Sequence, residues 1–296
     1  MPDALSSPAA SRDPLPAPST SHRWIDVLTR LTVPRRADEA ARPPVFDAAT
    51  PAEVAFEGER LRTWHWHRAG PAVLLVHGWE SRSAHWAAWL PPLLDAGFSV
   101  TAMDLPAHGD SGGQTSSALQ AGRAVLRVAA GTGPLHGVVG HSMGSAATLY
   151  AFAHGLQVQT SVHLAGPASL PRMLRLATDA ACLDAAEADR LVVEFARRAG
   201  APVADMDLPA LTRGFRHRAL LLHDPADREV PFAASQAIAA AWPLSRLVEV
   251  TDVGHRRILS DAQVIRTAVA HLVDALGAGT AVPPASVHRT VRCART

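Results

Sequence analysis

Short apolar runs punctuate the middle of this chain at regular intervals: Ala72–His77 (AVLLVH), Phe98–Met103 (FSVTAM), Gly137–Gly140 (GVVG), Gln159–Leu164, Ala219–His223 (ALLLH) and Leu247–Thr251. Their residues do not alternate with polar ones. Continuous Val/Leu runs suit strands buried on both faces, as in a parallel sheet. Between them lie longer stretches with helical spacing. Trp86, Trp89, Leu90, Leu93 and Leu94 share one face, as do Val125, Leu126 and Ala129. Strand and helix alternating five times or more predicts a mostly parallel, doubly wound α/β sheet with flanking helices. Ligands of such sheets bind beyond the carboxyl ends of the strands, so chemistry is expected just after each apolar run.

The ends read differently. Residues 1–22 are rich in Pro, Ala and Ser, and residues 1–45 are expected to be a mobile segment. Within it, Trp24, Val27, Leu28 and Leu31 mark a helix over Trp24–Val33 that could dock on the domain. The domain itself is expected over 46–276, and the segment 277–296 is expected to be loose.

Composition narrows the function. The 296 residues carry 28 basic and 27 acidic side chains, a net charge of +1, which gives no general field for nucleic acid. Every basic residue is arginine. With no lysine, Schiff-base chemistry and lysine-dependent phosphate loops are excluded. Cys182 and Cys293 are too few for a disulfide scaffold and lack metal-ligand spacing. There is no apolar h-region at the start and no run of about 18 apolar residues, so a cytoplasmic protein without a membrane span is expected. His65 and His67 alternate with Trp64 and Trp66 as on a strand, and no H-E-x-x-H or C-x-x-C accompanies them.

The pattern G-x-S-x-G occurs twice. At Gly140-His141-Ser142-Met143-Gly144 a buried strand leads in and a helical stretch, SAATLYAFAHG, leads out. A strand-to-helix turn that sharp lifts the central hydroxyl clear of the sheet. At Gly109-Asp110-Ser111-Gly112-Gly113 the serine lies inside a loop. GDSGG resembles the serine motif of chymotrypsin-like proteases, but only 34 residues separate His77 from Ser111, and the pattern here is not all-β. Ser111 is read as a decoy.

A serine hydroxyl needs a base, and the base an orienting group, from later strands. After ALLLH comes Asp224-Pro225-Ala226-Asp227-Arg228-Glu229-Val230-Pro231, and after LVEVTD comes Val253-Gly254-His255. Asp224, Asp227 and Asp252 are all candidates for the acid.

With these motifs the sequence resembles the α/β-hydrolase family. The resemblance spans about residues 55–275 and rests on His77-Gly78, the loop from Asp104 to Ser111, the GHSMG turn, Asp227 followed by Val230-Pro231, and Gly254-His255. It implies Ser142 as nucleophile, His255 as base and acid, Asp227 as orienting carboxylate, and the backbone N–H groups of Trp79 and Met143 as an oxyanion hole. His141, beside the nucleophile, is expected to wall the site. Residues 166–210 stand where the family inserts its cap; about three small helices are expected there. So short a cap favours small or medium acyl groups. The implied function is a serine hydrolase acting on a small-molecule carboxylic ester through an acyl-enzyme, with no metal or organic cofactor. C–C bond or thioester hydrolysis, and a non-catalytic ligand-binding protein of the same fold, are the alternatives.

Overall fold

The computed structural model describes residues 23–36 and 42–277, and the backbone of 289–291. The strands are β1 (Thr50–Phe56), β2 (Glu59–Trp66), β3 (Ala72–Val76), β4 (Ser99–Met103), β5 (Leu135–His141), β6 (Thr160–Leu164), β7 (Arg218–His223), β8 (Ser245–Val250) and β9 (Arg289–Val291). The helices are α1 (Arg23–Thr32), α2 (Leu90–Asp95), α3 (Ala118–Thr132), α4 (Met143–Ala153), α5 (Leu170–Ala180), α6 (Ala185–Ala199), α7 (Leu208–Thr212), α8 (Ala233–Ala241), α9 (Gly254–Arg257) and α10 (Ala262–Gly277).

One sheet runs in the order β1-β2-β4-β3-β5-β6-β7-β8-β9. From β4 to β9 all pairs are parallel, whereas β1–β2 and β2–β4 are antiparallel. The order reverses around β3, so helices cover both faces and two apolar layers form. Leu74, Val76 and Val138 point into one layer with α3, α4 and α6; Val73, Leu75 and Val139 point into the other with α2 and α10. Alternate residues of a strand face opposite sides, and here both sides are apolar.

All six apolar runs are strands. Of the hairpin of β1 and β2, the sequence pattern marked only the alternation at Trp64 and Trp66 in β2. The stretch expected as one helix around Trp86 divides into a 3₁₀ segment, Ser83–Trp89, and α2, because Pro91 and Pro92 can start a helix but cannot continue one.

The docking helix forms as α1. Val27 and Leu28 are buried in the same core as Leu191 and Phe195 of α6, Arg23 pairs with Glu187 at 3.1 Å, and Arg198 donates to Thr32 Oγ1. Residues 1–22, expected to be mobile, lie outside the described residues, as does most of 277–296. Within the latter, residues 289–291 pair with β8.

In 166–210 the structure places α5, α6 and a 3₁₀ turn, with α7 beginning at Leu208. Leu174, Leu191 and Phe195 enter the main core, while Met173, Leu176 and Val192 are exposed. Ordinary amphipathic helix faces explain that division. Among the described residues no helix is long and apolar enough to cross a membrane.

If α1 is an integral part of the domain, Leu28→Ala should remove about 2–4 kcal/mol of stability, as expected for a fully buried leucine. Urea unfolding measures this; a loss below about 0.5 kcal/mol would mean that α1 is only loosely attached.

Candidate active site

Ser142 stands at the junction of β5 and α4 with φ 51° and ψ −121°, a strained region for a residue with a side chain. The flanking glycines make that turn feasible. A Cβ on Gly140 would lie 2.8 Å from the Ser145 Cα, and one on Gly144 would lie 2.3 Å from the carbonyl oxygens of Val76 and His77. Small residues at these two positions therefore let the strand, the helix and the end of β3 come together. The Ser142 N–H donates to Leu164 O at 2.9 Å, which ties the turn to β6.

His255 is the second residue of the short helix α9, directly after Gly254 at φ +61°. Its Nε2 is 2.9 Å from Ser142 Oγ and its Nδ1 is 2.7 Å from Asp227 Oδ2. Asp227 follows β7 in a tight turn whose N–H groups at Glu229 and Val230 both donate to its Oδ1, at 2.7 and 3.0 Å. Burial raises the Asp227 carboxyl's pKa. Hydrogen bonds from His223, His255 and these two N–H groups outweigh it and hold the group well below the usual carboxylate range.

The structure therefore brings Ser142, His255 and Asp227 into one hydrogen-bonded chain. The other two carboxylates take different places. Asp224 is buried and accepts from the N–H groups of Ala226, Val253 and Gly254, which clamps the Asp227 turn to the His255 turn. Asp252 is exposed at φ +66°.

Trp79 follows β3. A Cβ on Gly78 would come within 3.0 Å of both Ser142 Cβ and His141 Nδ1, so this turn lies directly against the serine. Met143 is the first residue of α4, where a helical N–H has no acceptor inside the helix. Among the described residues the Trp79 N–H donates no hydrogen bond either. Met143 thus follows Ser142 directly in the chain, and Trp79 follows the glycine that packs against the serine.

His141, expected to wall the site, contacts His255. Its Nε2 lies 2.9 Å from the His255 carbonyl oxygen and its ring centroid 4.9 Å from that of His255. Burial pushes its pKa down to about 3, so it stays neutral and donates from Nε2.

Ser111 has a structural place. Its Oγ donates to Asp104 O at 2.6 Å and accepts from the Arg62 N–H at 2.8 Å, fully inside the loop. Asp104, its carboxyl pKa raised by burial, accepts from the N–H groups of Ser83 and Asp110.

Two features had no sequence signal. The segment after α1 crosses the rim of the site: Arg35 is bidentate to Glu80, next to Trp79, at 2.8 and 3.0 Å. Arg36 donates to the carbonyls of Gly109, Ser111 and Gly113. On the other side Arg256 is bidentate to Glu229. His65 hydrogen-bonds Thr63 and Thr101, as a strand residue would. No cluster of described residues is arranged to hold a metal ion.

Comparison with known proteins agrees with this architecture. A family model described as alpha/beta hydrolase fold matches residues 71–202. A pimeloyl-[acyl-carrier protein] methyl ester esterase of Methylococcus capsulatus is 48% identical over 42 residues, 14% of this chain and 16% of that protein. A dihydrolipoyllysine-residue acetyltransferase component of the acetoin cleaving system of Cupriavidus necator is 34% identical over 135 residues, 44% of this chain and 35% of that protein. The chain thus spans well under two thirds of the length of these two relatives. An esterase of Pyrococcus furiosus superposes with a TM-score of 0.63 at 18% identity, covering 84% of this chain and 98% of that one. The chain is a protein of the α/β-hydrolase fold.

Proposed function

We propose that this protein is a serine hydrolase that cleaves the carboxylic ester of a small or medium acyl group through an acyl-enzyme. The observation that carries the reading is the unbroken chain Ser142 Oγ–His255 Nε2, 2.9 Å, and His255 Nδ1–Asp227 Oδ2, 2.7 Å, at a serine held in a strained turn.

Because Asp227 is ionised, it can only accept, so the His255 proton sits on Nδ1 and Nε2 is free to act as a base. Ser142 Oγ attacks the ester carbonyl carbon as His255 Nε2 takes its proton. The carbonyl oxygen becomes an oxyanion that receives the N–H groups of Trp79 and Met143; one such donor is worth roughly 10²–10³ in rate. Collapse breaks the acyl carbon–alkoxy bond, and the leaving alcohol takes the proton from His255. Water, deprotonated by the same nitrogen, then attacks the acyl carbon and releases the acid and Ser142. The positive charge that His255 carries in both steps faces the Asp227 carboxylate throughout. The acyl range rests on the shortness of segment 166–210, and the ester class is in keeping with the esterases among the similar proteins.

The test is chemical labelling. A fluorophosphonate should add once to the wild type and not to Ser142→Ala, read as intact mass, and the variant should lose ester turnover. Full turnover in purified Ser142→Ala would overturn the assignment. A panel of p-nitrophenyl esters, thioesters and β-diketones then separates ester from thioester and C–C bond hydrolysis.

A further inference from the structure

At the end of β7 the Asp227 carboxylate meets a second histidine. His223 is fully buried, and its Nε2 lies 3.2 Å from Asp227 Oδ2, the same oxygen that His255 Nδ1 approaches at 2.7 Å. The Nε2 of His223 also lies 3.0 Å from the Val230 carbonyl oxygen. An ionised carboxylate and a carbonyl can only accept, so Nε2 carries a hydrogen shared between them. The opposite ring nitrogen, Nδ1, lies 2.7 Å from Ser235 Oγ on α8, and Phe232 meets the ring edge-on at 5.6 Å.

We infer that His223 is a positioning residue for Asp227, a second imidazole that fixes the carboxylate's rotation and draws charge from the oxygen facing His255. The inference rests on the proposed roles of Ser142, Asp227 and His255. Oδ1 is held by two backbone N–H groups, but among the described residues Oδ2 meets only the two histidines. His255 must turn from neutral to cationic and back during each cycle, and its grip on Oδ2 alternates with it. A donor that stays in place through both halves keeps Oδ2 where Nδ1 needs it.

The surrounding groups leave this donor role to His223. Asp224 spends its oxygens on Ala226, Val253 and Gly254. Around His255, His141 donates to the His255 carbonyl, Ser142 meets Nε2, and Arg256 is engaged with Glu229. Around His223 stand Asp227, Val230, Phe232 and Ser235.

Without His223, the carboxylate keeps more charge on Oδ2 and holds the imidazolium more firmly. The acidic limb of the pH–kcat/KM profile should then move to higher pH, by about half a unit for one shared hydrogen bond. The experiment compares wild type, His223→Phe, His223→Gln and Ser235→Ala with p-nitrophenyl acetate across pH, beside thermal unfolding and the rate of fluorophosphonate labelling. In His223→Phe kcat should fall about tenfold with KM within twofold, and the acidic limb should rise. His223→Gln, whose amide N–H can reach the same acceptors, should restore most of both. Ser235→Ala, which frees the ring, should move the limb in the same direction by less, and it carries the test if His223→Phe does not fold. An unmoved limb in a folded variant would overturn the inference, leaving His223 a packing residue. Failure of wild-type Ser142 to label would instead overturn the proposed function, whatever the His223 variants do.

Discussion

As the pH is lowered from 7, the folded protein is expected to unfold cooperatively, with a midpoint between about pH 4.5 and 6. The cause is a set of buried histidines. Burial pushes His141, His163 and His271 down to about 3 and His108 and His217 down to about 4. In the unfolded chain a histidine titrates near about 6.5. Between that value and the folded ones the unfolded state binds more protons, so stability is complete above about pH 6.5 and is lost as the pH falls through the window. Each group contributes up to about 1.4 kcal/mol per pH unit. Five of them together exhaust a typical 5–15 kcal/mol within about two units. Their neutral state is also built into the packing. His163 lies between Ser145 Oγ at 2.9 Å and Ser161 Oγ at 3.0 Å, and His271 lies 2.7 Å from Thr160 Oγ1. Urea midpoints followed by far-UV circular dichroism at a series of pH values measure the effect. A midpoint constant from pH 7 to 5 would contradict it.

Asp227→Asn should lower kcat/KM by about 10⁴ while leaving the fold in place. The turn dictates how asparagine would sit. Two backbone N–H groups point at Oδ1, so the amide oxygen must take that side. The amide NH₂ then occupies the place of Oδ2 and faces His255 Nδ1 as a donor. That nitrogen must accept, so the imidazole's proton moves to Nε2, the nitrogen facing Ser142, and the base is lost. Steady-state kinetics on p-nitrophenyl acetate, with circular dichroism to verify folding, read the result. A variant within tenfold of wild type would mean that the acid lies elsewhere.

The parallel strands were legible because a strand covered on both faces has only one pattern to show, an unbroken apolar run. The hairpin of β1 and β2 was not. Its exposed positions carry Glu53, Glu59 and Arg60, Pro51 interrupts β1, and its buried apolar residues Phe56, Leu61, Trp64 and Trp66 form no continuous run. At the candidate site, the strand-to-helix context picked out Ser142 over Ser111, and the structure gives the two serines different surroundings. The carboxylates were harder. Asp224 and Asp227 are three residues apart in one turn, and only the direction of each side chain distinguishes the one on His255 from the one on backbone N–H groups. His223 was hidden because it closes an apolar run, where a histidine reads as one more strand residue. Arg35 and Glu80 are 45 positions apart, and nothing local links them.

The docking of α1 also bears on how the chain assembles. The helix emerges from the ribosome early, yet its partners Glu187 and Arg198 are 164 and 166 residues further along the chain. Its apolar stripe of Trp24, Val27, Leu28 and Leu31 packs on α5 and α6, so it is complete only once α6 has been synthesised. The loop that receives Arg36 must also have closed around Asp104 before that arginine finds its three carbonyls. Contacts this distant in sequence form late, because the intervening chain must first be ordered. The segment at one end of the domain is therefore a closing piece, and Arg35 reaches Glu80 beside the serine only once the rest has been built.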